Sequence, residues 1–243
     1  MRHTLFISDL HLCESRPRVT QVFIDWLARI SNDTDALYIL GDFFEYWAGD
    51  DAIDNTFHRP ILNALQDLIL RGVPVFLMHG NRDFLISGDF SAISGVKLLP
   101  DPTLVTLYGQ PVLLTHGDAL CTDDVAYMRF RQEVRQPRWQ AQFLSQSVEQ
   151  RNAFIQAARA KSESEKANKT MAIMDVNADA VSALIREYHY PPLLVHGHTH
   201  RPNQHLHQVD SHRCTRWVLG DWYEQASGLQ LSENGVFTQL SIV

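Results

Sequence analysis

The sequence predicts an α/β fold. Three observations lead there. Short apolar runs of four to six residues recur, and each ends in a polar cluster. Helix-period stretches separate the first three runs, the signature of strands alternating with helices. The 243 residues are 45% hydrophobic and 20% charged, an ordinary globular balance with enough apolar material for a core that needs no disulfide staples.

Taken in order, the first run covers residues 5–8 and ends at Asp9. Residues 19–30 then place Val22, Phe23, Trp26, Leu27 and Ile30 on one helical face. A second strand over 36–40 ends at Gly41-Asp42. The helix over 57–70 carries Ile61, Leu62, Leu65, Leu68 and Ile69, and Gly72 supplies its stop. Strands over 73–78, 111–115 and 192–195 end at His79-Gly80-Asn81, His116-Gly117-Asp118 and His196-Gly197-His198. These runs are rich in Val, Ile and Leu, as strands covered on both faces are. Between the last two, residues 123–189 read as mostly helical, with breaks at Pro137 and around 161–168. The tail reads as short antiparallel strands over 205–209, 213–219, 228–231 and 236–242, with Asn234-Gly235 as a hairpin turn. The expected organisation is one domain over 1–243 with a helical lid inserted at about 123–175.

Composition excludes several classes. A net charge of −7 gives no overall attraction to nucleic acid. Cys13, Cys121 and Cys214 are too few and too scattered for a disulfide framework, and no Cys-x-x-Cys pair exists. The N-terminal apolar run is too short for a signal peptide, and no stretch approaches the ~18 apolar residues of a membrane span. The expectation is a cytoplasmic chain. Residues 125–170 differ from the rest: nine Lys or Arg stand against four Glu, so the segment is +5 and the remainder −12. It also carries Tyr127, Met128, Phe130, Trp139, Phe143, Leu144, Phe154 and Ile155. Such a segment is either a packed helical subdomain with a solvated basic face or a lid for an anionic amphiphile that also suits a membrane interface. In the second case Arg129, Arg131 and Arg135 would meet the membrane.

The strand ends carry the chemistry. In an open α/β sheet, ligands bind beyond the carboxyl ends of the strands. Five such ends bring Asp9, His11, Asp42, Asn81, His116, His196 and His198 to one rim. All offer oxygen or imidazole and none a thiolate, which suits Mn²⁺, Fe²⁺ or Zn²⁺. Seven donors exceed one tetrahedral ion and fit two ions sharing a carboxylate. Two dications ~3.7 Å apart repel by roughly 18 kcal/mol at an effective dielectric of ~20, so a shared anion is required. Asp42 is the natural one. Asp118, His79, His200 and Asp83 stand either as orienters of these ligands or as turn residues.

Asp-x-His, Gly-Asp, Gly-Asn-Arg-Asp, His-Gly and Gly-His-Thr-His, in that order, resemble the calcineurin-like dinuclear metallophosphoesterases. Longer blocks at 6–12, 38–42, 79–85, 116–124, 172–177 and 196–202 resemble the branch that hydrolyses lipid-linked UDP-sugars. The resemblance implies a four-layer α/β βαββ-sandwich with the metals between two sheets. It implies two Mn²⁺ ions with a bridging water or hydroxide, one on Asp9, His11, Asp42 and His198, the other on Asp42, Asn81, His116 and His196. Substrate contacts carried over are Asn81, Arg82, Asp124, Ser162, Lys166, Lys169 and His196. It further implies a monomer at the cytoplasmic face of the inner membrane, acting on a lipid-linked UDP-sugar.

Many relatives hold His after the Gly-Asn, where it can protonate an alkoxide; this chain holds Arg82. Arginine is a poor proton donor but a good clamp for phosphate oxygens. That exchange suits a leaving group that is already stable, such as a phosphate leaving from a pyrophosphate. Arg82, Asn81 and His196 are then the expected catalytic side chains. The alternative is a soluble dinuclear phosphodiesterase or phosphatase on another ester. A scaffold that had lost its ions is disfavoured, since all seven positions hold competent donors.

Overall fold

The structure is a computed structural model that describes residues 1–53, 56–166 and 175–243. The first three strands, β1 (His3–Ile7), β2 (Thr34–Leu40) and β3 (Val75–Met78), run parallel and bury side chains on both faces. Their crossovers are α1 (Pro17–Arg29) and α2 (His58–Leu70). Pro17 starts α1, where its missing N–H costs nothing. A short helix, α3 (Gly88–Ser94), leads to a fourth parallel strand, β4 (Lys97–Leu99).

A second sheet begins with the hairpin β5 (Thr103–Leu107) and β6 (Gln110–Leu114), then takes β7 (Leu193–His196) in parallel. Between β6 and β7 lie α4 (Val125–Val134), α5 (Pro137–Leu144), α6 (Val148–Lys166) and α7 (Ala178–Glu187). The tail strands are shared out. β8 (Asn203–Val209) and β9 (His212–Val218) extend the second sheet, while β10 (Ser227–Ser232) and β11 (Phe237–Ser241) extend the first. The orders are β11-β10-β1-β2-β3-β4 and β5-β6-β7-β9-β8.

Strand alternation assigns the layers. Leu5 and Ile7 of β1 face α1 and α2 with Phe23, Leu27 and Leu65, whereas Phe6 turns inward to meet Leu40, Val112, Leu114 and Val195 between the sheets. Leu113 and Leu194 point the other way, onto Val181 and Ile185 of α7. Helix, sheet, sheet and helix give the four-layer α/β sandwich. The five strands with polar ends divide between the sheets, so the rim is formed by two sheet ends meeting rather than by one open sheet.

Two expectations for the helical segment change. The break expected around 161–168 does not begin at 161, because α6 continues to Lys166; an unexpected break falls at 145–147 instead. Arg131 and Arg135 are half-buried and tied to the body rather than free on an outer face. Arg131 Nε donates to the fully buried Asp118 at 2.8 Å, and Arg135 donates to Gly80 O at 2.7 Å while lying over the Phe84 ring. They fasten α4 to the rim. α6 is rooted by Arg151, which is buried and donates to Ala48 O and to both oxygens of Asp51.

His58 sits among the rings of Phe44, Trp47 and Phe57. Burial pushes its imidazole from 6.5 down to about 4. Between those values the unfolded chain binds the proton and the folded chain does not, so stability is intact above 6.5 and falls as the pH drops towards 4. The loss amounts to about 3 kcal/mol at ~1.4 kcal/mol per unit. Urea denaturation of metal-free His58→Leu at pH 7 and 4.5 should show a shallower acid loss than the native chain; equal losses would contradict this.

Candidate metal centre

The rim gathers two sets of donors. Asp9, His11 and His200 form one, and Asp42, His116 and His198 the other; within each set the ligand atoms lie within 4.8 Å of one another. Donors sharing one ion at ~2.1 Å are themselves roughly 3 to 4 Å apart, so both sets are close to the spacing an ion needs. His200 Nε2 stands 3.3 Å from Asp9 Oδ1, and His11 Nε2 stands 4.0 Å from the same oxygen. Asp42 lies between the sets, with Oδ2 3.8 Å from His11 Nε2 and Oδ1 3.7 Å from His116 Nε2. Asn81 Oδ1 is 3.2 Å from His116 Nε2.

Local backbone explains how short loops present so many donors. Asp9, His11, Asp42, His198 and His200 all have left-handed φ, between 49° and 67°. Each costs an L-residue about 1–2 kcal/mol, and such residues persist only where their surroundings hold them. Here the loops hold each other. Asp9 N donates to Gly41 O at 3.1 Å, His11 N to Asp42 O at 2.9 Å, and His198 N to Asp9 Oδ2 at 2.8 Å. Asp83, fully buried, accepts from Gly80 N at 2.8 Å and Phe43 N at 2.7 Å, which ties the third loop to the second. Gly80 packs so closely that a Cβ would overlap the Asp42 carboxylate.

The electrostatics call for added positive charge. Asp9 is buried and its Oδ1 has no hydrogen-bond partner. Burial opposes its ionisation, yet His200, His116 and His11 outweigh that and hold the carboxyl below its usual range. Burial pushes Asp42 up to about 7, with Asp83 and Asp9 adding to the rise and His116 opposing it. A carboxylate so desolvated lacks the countercharge that a dication supplies. His116 is oriented for that, since Nδ1 donates to Leu40 O at 2.8 Å and Nε2 is left towards the rim. The residues present therefore fit a pair of divalent ions.

His196 is placed differently from the sequence expectation. It is buried, with Nδ1 donating to Gly197 O at 2.8 Å and Nε2 accepting from Arg216 at 2.9 Å. Both ring nitrogens are engaged, and it belongs to neither donor set. The reason is one residue of strand. β7 runs through His196, whose partner is Val218 of β9, so the loop that turns into the rim starts only at Gly197. His198, expected beside Asp9 and His11, lies instead in the set with Asp42 and His116 where His196 was expected, and His200, steered by Asp221 Oδ2 at 2.9 Å, lies beside Asp9 and His11 where His198 was expected.

Among the other expected site residues, Arg82 donates its backbone N–H to Asp42 Oδ1 at 2.8 Å. Its guanidinium stands 3.9 Å from Glu45 Oε1. Asp124 caps α4, accepting from Tyr127 N at 3.1 Å. Ser162 is half-buried on α6. Lys169 and the side chain of Lys166 lie outside the described residues, so their expected contacts have no placement. Residues missed from sequence are Glu45, Tyr127 and Asp221. Tyr127 O–H donates to Asp118 Oδ2, and its ring lies 6.1 Å from that of His198. Beside the rim a chamber of about 810 Å³ opens between the body and α6. Trp47, Phe57 and Val148 supply apolar wall, Arg16, Arg82 and Arg159 supply positive charge, and Glu14, Glu45 and Asp51 supply negative charge.

Two sheets meeting at paired sets of carboxylate and imidazole donors define a metal-dependent phosphoesterase, and the chain belongs to the calcineurin-like phosphoesterase family, whose model matches residues 2–202. It is similar to the UDP-2,3-diacylglucosamine hydrolase of Aromatoleum aromaticum, with 49% identity over 93% of this chain and 91% of that one. It is 48% identical to the UDP-2,3-diacylglucosamine hydrolase of Xanthomonas campestris pv. campestris, over 96% of each chain. Among solved structures, an archaeal phosphodiesterase aligns with 98% of this chain and 99% of its own at 10% identity, with a TM-score of 0.47.

Proposed function

We propose that this chain hydrolyses the pyrophosphate of UDP-2,3-diacylglucosamine, releasing UMP and 2,3-diacylglucosamine 1-phosphate. The relatives carrying that name align with nearly the whole chain. The observation that carries the reading is Asp42 set between two donor sets, next to a chamber that gathers three arginines on one part and aromatic rings on another. A phosphate-rich head and apolar acyl chains need those two linings together. Release of UMP in a Mn²⁺-supplemented assay supports it. Turnover of a water-soluble bis-ester without turnover of the acylated UDP-sugar would overturn it.

The oxygen and imidazole donors suit Mn²⁺; Asp9, His11 and His200 would hold one ion and Asp42, His116, His198 and Asn81 the other. When bound, such a pair neutralises phosphoryl oxygens and lowers the pKa of water towards 7. The chain's own residues do the rest. Asn81 donates through its amide, and Arg82 clamps equatorial oxygens of the α-phosphate as charge builds there. The departing sugar phosphate is stable without a proton, so Arg82 needs no acidic role. Arg82→Gln should lower kcat/KM by about 10²-fold with Mn²⁺ stoichiometry unchanged. A loss under threefold would contradict the clamp.

The same reading places the chain against an anionic membrane. No helix among the described residues is long and apolar enough to cross one. On the outer face of the helical segment, Val125, Phe130 and Leu144 are exposed alongside Arg129 and Arg138. Reversing Arg129 and Arg138 together should weaken binding to anionic vesicles by about 30-fold or more in a flotation assay, at about 1 kcal/mol for each basic residue lost. Unchanged binding would count against membrane association through this face.

A further inference from the structure

Glu45 lies in a stretch, Phe43-Phe44-Glu45-Tyr46-Trp47, that otherwise reads as core. It is 5% exposed, yet four cationic or potentially cationic groups surround it. Oε2 accepts from Arg16 at 2.6 Å and stands 3.6 Å from His11 Nδ1. Oε1 meets Arg159 of α6 at 2.8 Å and Arg82 at 3.9 Å. His11 Nδ1 is buried and makes no hydrogen bond, while Nε2 of the same ring faces Asp42 and Asp9. The loops already hold Glu45 in place, since its N–H donates to Leu12 O at 3.1 Å.

The geometry points to Glu45 as a positioning residue that couples α6 to the metal centre. The inference rests on the dinuclear reading given above. A cation on His11 Nε2 fixes the proton on Nδ1 and makes that N–H a stronger donor. The acceptor in reach is Glu45 Oε2. Fixing Oε2 fixes the whole carboxylate, whose other oxygen holds Arg159 and thereby that part of α6. Three arginines around one carboxylate also leave this cluster with excess positive charge. Coupling of this kind is reciprocal: an ion that tightens α6 is itself bound more tightly when α6 is held.

Amide hydrogen exchange on the full chain, with Mn²⁺ added to metal-stripped protein, tests this without substrate. Mn²⁺ should slow exchange in residues 155–160, around Arg159, by threefold or more. Residues 148–153, already rooted by Arg151, should change less. Arg159→Gln should remove the Mn²⁺ effect on 155–160. Glu45→Gln should remove it too and weaken Mn²⁺ binding at least tenfold by calorimetry, with Glu45→Asp recovering part of both. If Mn²⁺ binds and 155–160 do not respond in the native chain, the coupling is overturned while the metal centre stands. The coupling is equally overturned if Glu45→Gln binds Mn²⁺ as the native chain does. A chain that takes up no Mn²⁺ overturns both readings. UDP-sugar turnover enters none of these outcomes, so a wrong substrate would show separately.

Discussion

Asp42→Ala will abolish UMP release, by ~10³-fold or more, and will also abolish the rise in melting temperature that Mn²⁺ gives the native chain. The two oxygens of Asp42 face imidazoles of different donor sets, at 3.8 Å from His11 Nε2 and 3.7 Å from His116 Nε2. Without it, nothing on the chain screens the two ions from each other, and the repulsion of roughly 18 kcal/mol falls on the remaining ligands. A 10³-fold loss corresponds to about 4 kcal/mol. The metal-free variant should stay folded, because burial holds the Asp42 carboxyl up at about 7 and its ionised form therefore contributes little stability near neutral pH. Ligand-linked stabilisation is the cleaner readout, since anything that binds only the folded chain raises its stability. A Mn²⁺-dependent rise equal to that of the native chain would refute the bridging role.

His200→Ala and His196→Ala will fail in opposite ways. His200 is partly exposed and reaches Asp9 Oδ1 at 3.3 Å. Its loss should remove one equivalent of Mn²⁺ and about 10²-fold or more of activity, with little change in metal-free stability. His196 is fully buried and is an acceptor for the buried Arg216. Its truncation leaves a guanidinium N–H unpaired and a void, which together cost about 3 kcal/mol, or a fall of ~6–12 °C in Tm. At permissive temperature His196→Ala should still hold both ions. Loss of an ion in His196→Ala with none lost in His200→Ala would return the ligand role to His196.

The placement of these histidines shows what the sequence carries and what it does not. Apolar runs located the strands, and polar residues just beyond them located the rim. A strand end is legible only to about one residue, however, and in His196-Gly197-His198-Thr199-His200 one residue decides which imidazoles leave the strand. Left-handed φ at His198 and His200 is invisible in the sequence, because neither residue is glycine. The division into two sheets was not carried by periodicity either. β6 and β7 look like continuations of one parallel sheet until the pairing shows them joined to β9 and β5. Arg131 and Arg135 sit in a basic segment whose average charge suggests an outer face, but side-chain direction is set by where α4 docks, on Asp118 and Gly80 O. Glu45 was hidden because aromatic neighbours make its stretch read as core, and its three arginines come from residues 16, 82 and 159.

The proposed hydrolysis has water attack the phosphorus next to uridine at this rim, whose residues would hold the activating ions. Hydrolysis of UDP-2,3-diacylglucosamine in ¹⁸O-enriched water with Mn²⁺, followed by mass spectrometry of both products, tests it most directly. The account predicts one ¹⁸O in UMP and none in the acylated glucosamine 1-phosphate. Label in the sugar phosphate, or no turnover by a chain that has bound both ions, would contradict it.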